Sequence, residues 1–420
     1  MKRFISALLI LLLLNLTVFS VSAESAESVE MAVFTEASMT EEEFRNYSPA
    51  ISMFSFYSPN QYHKNGYYYS LIQRKNVLGL AQKTYDSIIN DLSNEPLSGT
   101  WSISIQTDLF KGMDLNDFAD LKDTIFGEVL SGAWCFKYDN PSKCDRFTNE
   151  VESEMSYSYY PHNNTVATVA ITVKLYVHPY FNSSLLIERD NKIDEIVAVA
   201  NRKPSQYLAL KYIHDTLNEM AEYDYDNVNA SSSTESFLFD HSALGILAGI
   251  HKLISGKDTV QRKAVCEGYA KAFMEICKKL DDAPYVGLLT SKTHMWNIVL
   301  LDGKWYCVDL TWDDGKYGDI YDTYFLCGDP DIVDGSSTDH VPDGEYTEPP
   351  EYAESKYVFN PSKGDITFDG EINILDIIRF KKIYSGSLDK EFYTNADLDG
   401  NNVFNASDLA KLKIQVMKTK

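Results

Sequence analysis

The sequence predicts an α+β protein made of several domains. Leu210, Ile213 and Leu217 recur at helical spacing, whereas alternate apolar residues in the run 165–177 share one face of a strand. The composition, 44% apolar and 13% aromatic, buries enough surface to offset chain entropy, so the bulk of the chain is expected to fold. At about 100–200 residues per domain, the length of 420 residues predicts two to four domains.

Charge and cysteine content exclude several classes of protein. The chain has 61 acidic and 38 basic residues, a formal net charge of -23, and no stripe of Lys and Arg offsets it. Such a charge repels phosphate backbones, so no nucleic acid is expected as a partner. Six cysteines in 420 residues are too sparse for a framework of disulfides, which indicates a reducing or anaerobic setting.

Residues 1–23 have the three parts of a secretory signal peptide. A basic start precedes an apolar run over residues 4–19, and the small residues Val21, Ser22 and Ala23 precede a polar stretch. An uncleaved anchor is the alternative, but the apolar run is shorter than the ~20 residues of a membrane span. We therefore expect a secreted protein with no membrane segment after cleavage.

Residues 24–190 form an α+β N-terminal region of unknown role. A helix-like segment over residues 71–92 precedes strand-like runs, in one of which Trp101 and Ile103 share a face. The tyrosines of this region suit either a carbohydrate site or core packing, and core packing is favoured because aromatic residues are ordinary on pleated surfaces. They are Tyr67, Tyr68, Tyr69, Tyr157, Tyr159 and Tyr160.

Residues 191–357 contain the side chains with recognisable chemistry. Cys266, Ala270 and Phe273 fall on one face of a predicted helix that begins at Cys266. Free amides and the dipole at a helix N-terminus stabilise a thiolate, which makes Cys266 a candidate nucleophile. Cys277 lies on the same face further along the helix, and we expect it to be an inert core thiol.

A β-hairpin is predicted around residues 302–303, where Asp-Gly separates two strand-like runs. A two-residue turn pairs residues whose numbers sum to 605, which sets Trp296 opposite Asp309 and His294 opposite Thr311. His294 and Asp309 then become diagonal neighbours on one face, within reach of long side chains.

Cys266, His294 and Asp309 together make the Cys-His-Asp arrangement of nucleophilic catalysis. The histidine takes the thiol proton, and the aspartate fixes the imidazole tautomer and stabilises its charged form. Each element alone is a weak signal, whereas the three in this layout are a specific one. This chemistry is expected to need no cofactor.

The motifs VCEGYAKAF, HMWN, DGKWY and VDLTWDD resemble the core of the bacterial transglutaminase-like superfamily. The resemblance covers about residues 193–357 and implies a papain-like fold with an antiparallel sheet. It also implies that Cys266 is the nucleophile, His294 the general base and Asp309 the third member. Met295 departs from the usual pattern, in which a small residue is common.

The resemblance implies acyl transfer through a thioester and leaves the acceptor open. Superfamily members with an intact triad include peptidases, amidases and glutamine–amine crosslinkers, so a protein or peptide substrate is expected. The oxyanion hole would use the backbone N–H of Cys266, with Tyr223 or Tyr225 as a candidate upstream donor. A non-catalytic binding or scaffold component is the alternative, to which departures such as Cys307, where a histidine often stands, give weak support, since no triad residue is missing. Cys307 itself is expected to be a packed core residue, with a thiol beside the triad as the alternative.

The last block, residues 363–420, repeats a twelve-residue loop followed by an amphipathic helical run. The loops begin at Asp365 and Asp397, an offset of 32. Oxygen ligands at positions 1, 3, 5 and 12, with the carbonyl of position 7, suit Ca²⁺. Two Ca²⁺ are therefore expected, with the ligands Asp365, Thr367, Asp369, Glu371 and Asp376 in the first loop and Asp397, Asp399, Asn401, Val403 and Asp408 in the second.

Residues 365–420 resemble a dockerin module, a small α-helical unit with paired EF-hand-like calcium loops. Dockerins attach enzymes to cohesins of a cellulosome scaffold, which implies a cohesin partner and an extracellular or cell-surface location. In dockerins, loop positions 10 and 11 contact cohesin. Ile374 and Leu375 occupy these positions in the first loop and Ala406 and Ser407 in the second, so a two-fold related dual binding mode is not expected.

An acidic segment precedes this block, followed by a linker predicted at residues 358–364. From Asp309 to Lys356, fourteen acids and two bases give a net charge of −12. Residues 328–357 are rich in Asp, Glu, Pro and Ser, and this composition alone predicts a flexible linker. The superfamily resemblance instead implies a closing strand and tyrosine-containing stretches packed on the sheet, and this ordered alternative is favoured. The charge is expected to serve solubility, with selection of cationic, lysine-bearing partners as the alternative.

Overall fold

The computed structural model describes most of the chain. The predicted signal peptide and the predicted calcium ligand Asp369 lie outside the described residues. The described residues are 30–45, 66–75, 77–92, 96–254, 257–315, 319–334, 337, 339–342, 349–368, 371–386, 394–401 and 403–418.

Helices and strands alternate irregularly along the described chain, as an α+β fold requires. The strands are β1 (Glu30–Thr40), β2 (Thr100–Thr107), β3 (Phe147–Tyr160), β4 (Thr165–Val177), β5 (Glu222–Tyr223), β6 (Ile250–Ile254), β7 (Lys257–Gln261), β8 (Lys263–Ala264), β9 (Tyr285–Thr290), β10 (Met295–Leu301), β11 (Lys304–Val308) and β12 (Phe325–Cys327). The helices are α1 (Glu41–Arg45), α2 (Tyr67–Lys75), α3 (Leu80–Asp91), α4 (Leu115–Asp120), α5 (Lys122–Asp139), α6 (Pro141–Cys144), α7 (Ser183–Ala200), α8 (Gln206–Met220), α9 (Glu235–Asp240), α10 (Leu244–Leu247), α11 (Cys266–Cys277), α12 (Leu310–Asp313), α13 (Pro330–Asp334), α14 (Ile374–Tyr384) and α15 (Ala406–Lys418).

The N-terminal region folds around an antiparallel sheet with the strand order β1-β3-β4-β2. Val169, Ile171 and Val173 alternate along β4 and are buried, as their spacing predicts. Helix α5 packs on β3 and on α3. The buried side chains of this sheet and its helices belong to an apolar core that continues into the following block.

The tyrosines at the start of α2 are core residues. Tyr67, Tyr68 and Tyr69 are all buried. The Tyr67 ring stands edge-on to the ring of Trp305, with centroids 5.8 Å apart, so α2 is packed against the second sheet. These three side chains therefore pack in the core, as the sequence predicted in preference to a carbohydrate site.

The single helix predicted over residues 71–92 is two helices, α2 and α3. The chain breaks before α3 because Gly79 adopts a positive φ of 79°. The buried Glu128 carboxylate of α5 accepts three backbone N–H groups between residues 77 and 80. Such a partner lies far away in sequence, so apolar periodicity alone does not reveal the break.

The second sheet is antiparallel, with the order β12-β11-β10-β9, and contains the predicted hairpin. Leu301 pairs with Lys304 and Asn297 with Val308, the register that the two-residue turn predicts. Asp302 and Gly303 adopt positive φ values of 49° and 75°, which suits an Asp-Gly turn.

Helix α11 packs against β10, β9 and α8. The Asn297 side chain of β10 donates to the Ala270 carbonyl of α11 at 3.0 Å, which ties the helix to the sheet. One apolar core runs through both sheets and their helices. The predicted boundary at residue 190 falls inside α7, because this helix continues from Ser183 to Ala200 and packs on α8.

Asp139 caps the start of α2 from inside the core. Its carboxylate, fully buried, accepts the backbone N–H groups of Tyr68 at 3.1 Å and Tyr69 at 2.8 Å and the Tyr85 hydroxyl at 3.1 Å. Burial raises the pKa of Asp139 to about 6, although nearby Lys278 opposes the rise. A Cβ at Gly66 would lie 2.1 Å from the Asp139 Cγ, so a glycine precedes the helix.

We expect Asp139→Ala to lower the free energy of unfolding by about 2–4 kcal/mol, because three donors lose their acceptor inside the core. Urea unfolding of the full chain measures this effect. Asp91→Ala, at an exposed position on α3, is the matched control and should change the free energy by less than about 0.5 kcal/mol. Equal effects of the two substitutions would contradict the capping role.

The described part of the acidic segment packs on the second sheet. Ala353 N–H donates to the Trp305 carbonyl at 2.8 Å, and Tyr357 N–H donates to the Leu326 carbonyl at 2.9 Å. Phe359, inside the predicted linker, stacks on Tyr207 of α8 with centroids 4.5 Å apart. These contacts agree with the ordered alternative and disagree with the flexible linker that composition alone predicts.

The C-terminal block is a small unit built on α14 and α15, which pack together. Phe380 of α14 stacks on Phe404 with centroids 4.3 Å apart. Its core is small and consists of Ile366, Ile377, Phe380, Ile383, Ala396 and Leu412. Within the described parts of the whole chain, no helix combines the length and apolarity needed to cross a membrane.

Candidate active site and calcium loops

Cys266 is the first residue of α11, and its side chain is partly exposed. Val265 before it is extended, and its N–H donates to the Asp240 carbonyl at 2.9 Å, which anchors the entry to the helix. A Cβ at Gly268 would lie 2.7 Å from the same carbonyl, so a glycine lets the first turn approach it. The helix start therefore presents the thiol at a fixed place, as the sequence predicted.

Tyr223 lies beside Cys266. Strands β5 and β8 pair in parallel, with Tyr223 opposite Ala264, two residues before the cysteine. The Tyr223 hydroxyl is hydrogen-bonded to the Cys266 backbone N–H, and burial together with the nearby thiol raises the pKa of this phenol. Tyr225, the other candidate donor, packs on the Tyr223 ring at 4.8 Å and is 67% exposed.

His294 lies between β9 and β10, 7% exposed. Its carbonyl accepts the Ser291 N–H at 2.9 Å, which closes the turn. Its imidazole bonds the Cys266 thiol on one side, and its Nε2 lies 2.5 Å from Asp309 Oδ2 on the other. Burial alone would lower the pKa of His294, but the Asp309 carboxylate and the two hydrogen bonds outweigh it and raise this pKa well above its usual range.

Asp309 is buried at 1% exposure and is the N-cap of α12. Its Oδ1 accepts the Thr311 N–H at 2.9 Å, the Thr311 hydroxyl at 2.6 Å and the Trp312 N–H at 3.3 Å. Burial raises the pKa of a carboxyl group, but the His294 charge and the hydrogen bonds of two histidines hold the pKa of Asp309 well below its usual range. The carboxylate therefore stays ionised.

The strand pairing that led to Asp309 stops short of it. The ladder ends at Asn297 and Val308, so the predicted pairs Trp296 with Asp309 and His294 with Thr311 do not form. The chain leaves β11 at Asp309 to start a short helix instead. His294 and Asp309 still meet, because the helix cap turns the carboxylate towards the imidazole.

His340 also contacts the Asp309 carboxylate, and the sequence did not predict it. Its Nε2 lies 2.9 Å from Asp309 Oδ2, and its Nδ1 lies 2.8 Å from Asp334 Oδ2. It belongs to the acidic segment, 31 residues beyond Asp309, where neither periodicity nor a motif marks it. The sequence offered only a weak signal: His340 is one of eight histidines and the only one among the acidic residues between positions 309 and 356.

The other cysteines considered are core thiols. Cys277 is buried, and burial raises its pKa well above the usual range. Cys307 is buried opposite Cys327 on the neighbouring strand β12, and burial together with a hydrogen bond to that thiol raises the pKa of Cys307. Cys307 is therefore a packed core residue, as expected.

The arrangement around Cys266 suits thiol chemistry. A thiol, an imidazole and an ionised carboxylate follow one another within hydrogen-bond reach, as proton transfer from thiol to imidazole requires. His294, Asp309 and His340 also gather ligand atoms of the kind that bind metals. Their polar atoms contact each other directly at 2.5 and 2.9 Å, so these three side chains form a hydrogen-bonded chain in this structure.

The second candidate calcium loop gathers carboxylates. Asp397, Asp399 and Asp408 each offer an oxygen, and these oxygens lie within 4.8 Å of one another. Asp408 is fully buried, and Asn401 Oδ1 accepts the Val403 N–H at 2.7 Å. Three carboxylates converging at this spacing repel one another unless a cation lies between them, and hard oxygen donors suit Ca²⁺. The donor set fits the predicted ion.

The first loop is built the same way, as far as it is described. Asp365 and Asp376 are buried. Asp376 Oδ1 accepts the Thr367 hydroxyl at 2.9 Å, and its Oδ2 accepts the Asn373 N–H at 2.8 Å, which forms a capping box at the start of α14. Glu371 is exposed and is expected to contribute its carbonyl only.

Comparison with known families identifies the C-terminal block. Residues 363–417 match the family model of the dockerin type I domain. Dockerin domains bind cohesin modules of scaffold proteins and hold Ca²⁺ in EF-hand-like loops, so this block marks the chain as an extracellular protein associated with a cellulosome. The chain matches no curated protein.

Proposed function

We propose that the protein is a thiol-dependent acyl-transfer enzyme that its dockerin attaches to a cellulosome scaffold. The observation that carries the proposal is the contact of the Cys266 thiol with His294, whose Nε2 lies 2.5 Å from the buried Asp309 carboxylate. This is the constellation that activates a cysteine for attack on a carbonyl.

The proposed reaction proceeds through a thioester. The Cys266 thiol gives its proton to His294, and the sulfur attacks an amide carbonyl of the substrate. His294 returns the proton to the leaving amine, while Asp309 holds the imidazole in place. As charge develops on the carbonyl oxygen, the Tyr223 hydroxyl would donate to it, and the Cys266 backbone N–H would exchange its bond to the Tyr223 oxygen for one to the same carbonyl oxygen. Water or an amine then releases the acyl group.

The substrate class follows from this chemistry. A thioester forms from a peptide bond or from a side-chain amide such as that of glutamine, so the proposed substrates are proteins or peptides. Water as acceptor makes the enzyme a peptidase or amidase, and a lysine amine makes it a crosslinker. Both outcomes share the same first step.

The test is incubation of the full chain with candidate protein substrates and a labelled primary amine, followed by mass spectrometry. A thioester adduct on Cys266, with hydrolysed or amine-labelled product, is the expected result. Cys266→Ala should lose the adduct and the product, whereas Cys277→Ala, a buried thiol elsewhere on α11, should retain both. Retention of product by Cys266→Ala would overturn the proposal. Unchanged substrate binding in that variant, without turnover by the native protein, would support the non-catalytic alternative.

The proposed cohesin contact is the first repeat of the dockerin. Ile374 and Leu375 begin α14 and are 58% and 51% exposed, whereas the corresponding positions of the second repeat are Ala406 and Ser407. When a partner covers two exposed apolar side chains of this size, apolar surface is removed from water, which favours association. The asymmetry favours one orientation of cohesin on the dockerin.

We expect the double substitution Ile374→Ala and Leu375→Ala to weaken cohesin binding at least about 30-fold, because two apolar anchors are truncated. Isothermal titration calorimetry with a cohesin at saturating Ca²⁺ measures this change. Ile414→Ala with Met417→Ala removes exposed apolar side chains from α15 and should leave the affinity within about threefold. Similar losses from both pairs would show that the two faces bind equally.

A further inference from the structure

Cys307 and Cys327 lie opposite each other on the paired strands β11 and β12. Directly opposed residues of an antiparallel pair have Cα atoms about 4.5–5.5 Å apart, and their side chains share one face of the sheet. A disulfide spans Cα atoms about 4.4–6.8 Å apart. The two thiols are hydrogen-bonded to each other, and each is at most 1% exposed. The pair therefore has the backbone spacing of a disulfide, with its sulfur atoms already in contact.

A bulge in β12 produces this alignment. The strand register shifts between Cys307 and Val308, and Leu326 is the residue that the ladder skips. Without the shift, Leu326 would lie opposite Cys307, and the Cys327 side chain would point to the other face of the sheet. Leu326 has a φ of 50°, which a bulky residue seldom adopts, so the surrounding structure must hold it. The Tyr357 N–H does so by donating to the Leu326 carbonyl at 2.9 Å.

The extracellular location of a dockerin-bearing chain suits such a bridge. Disulfides form and persist outside the cell. The low number of cysteines argues against a framework of several disulfides, whereas a single bridge needs only two thiols. Strand β12 has three residues and lies at the edge of its sheet, so it opens more readily than a central strand and admits a small oxidant.

We propose that Cys307 and Cys327 form a disulfide that fastens β12 to β11 when the protein meets a low-molecular-weight disulfide. One cysteine thiolate attacks a sulfur of the small disulfide and releases one small thiol, and the second cysteine then displaces the other small molecule. The two cysteines lose two electrons and two protons, which the two released thiols carry away. Because both cysteines are buried in the closed sheet, the exchange takes place during folding or while β12 is open.

The bridge holds the segment that contains Asp309. It closes a loop of about 20 residues that includes Asp309 and α12, and closing a loop of this length restricts the unfolded chain. Within the loop, the Asp309 N–H donates to the Tyr324 carbonyl at 3.3 Å. We therefore expect the oxidised protein to melt about 5–10 °C higher than the reduced protein. This effect does not depend on the enzyme activity proposed above.

The test is refolding of the full chain from urea and dithiothreitol into a buffer that contains Ca²⁺ and oxidised glutathione. Free thiols are then alkylated under denaturing conditions, and peptides are identified by mass spectrometry without reduction. The expected product is a pair of peptides joined through Cys307 and Cys327, which dithiothreitol separates. Alkylation of both cysteines, or a bridge between other cysteines in their place, would overturn the proposal.

Melting curves and matched variants separate this bridge from unspecific oxidation. Cys327→Ala should lose both the joined peptides and the difference in melting temperature between oxidised and reduced protein, whereas Cys277→Ala, another buried thiol, should keep both. The native protein alone decides the matter if Cys327→Ala does not fold, because equal melting temperatures of its oxidised and reduced forms would overturn the fastening of β12. Cys266→Ala should form the same bridge, so this inference and the proposed enzyme fail separately.

Discussion

Alanine in place of His294 should lower the rate of Cys266 alkylation at pH 6 by about 10²-fold. The reason is the ion pair: with the imidazole present, the thiol proton moves to His294, whose charge Asp309 stabilises at 2.5 Å. Without the imidazole, a thiol with an ordinary pKa of about 8.5 is less than about 1% thiolate at this pH. The decisive measurement is the pH dependence of the iodoacetamide rate, read by mass spectrometry on the Cys266 peptide.

The decrease in the Cys266 alkylation rate should occur only at low and neutral pH. Above about pH 9 a free thiol ionises without help, so the native and His294→Ala rates should converge there. His162→Ala, at an exposed position in the turn between β3 and β4, should follow the native profile. Equal rates at pH 6 in native protein and His294→Ala would mean that the imidazole does not ionise the thiol, and the proposed mechanism would fail.

Turn residues and apolar spacing predicted the β10–β11 hairpin and the start of α11, because both features depend on residues close together in sequence. The turn at Asp302 and Gly303 set the register of β10 and β11, since a two-residue turn permits one pairing. Apolar spacing likewise found the start of α11 at Cys266. Helix α5 was not found, because it is buried on nearly all sides and lacks a polar face to give it a period.

The candidate site could be predicted only in part, because some of its residues are placed by contacts between segments that are distant in sequence. Cys266, His294 and Asp309 lie in or beside elements with strong local signals, although Asp309 meets His294 through a helix cap and not through the predicted strand pair. His340 lies among acidic residues whose composition predicts a solvated linker. Its burial arises from contacts with Trp296 and Trp312, which are distant in sequence, so only the tertiary structure reveals it.

Chelation of Ca²⁺ should abolish cohesin binding and unfold the C-terminal block while leaving the thiol site intact. The block has a small core, and a unit of this size seldom folds on apolar burial alone. Ca²⁺ at a concentration 100 times its dissociation constant contributes about 2.7 kcal/mol per site, and two sites contribute about twice that. Without the ion, Asp397, Asp399 and Asp408 place negative charges within 4.8 Å of one another, which opposes folding.

Two measurements on the full chain test this expectation. Calorimetric titration with a cohesin in excess EGTA should show at least a 10³-fold loss of affinity, reversed by Ca²⁺, whereas Cys266 alkylation in the same samples should keep its native rate. Asp408→Ala removes a fully buried carboxylate of the second loop and should raise the Ca²⁺ needed for half-maximal cohesin binding at least about tenfold. Asp322→Ala, outside the block and exposed, is the matched control. Cohesin affinity that is insensitive to EGTA would contradict calcium-dependent docking, and a parallel loss of thiol reactivity would show that the thiol site depends on the C-terminal block.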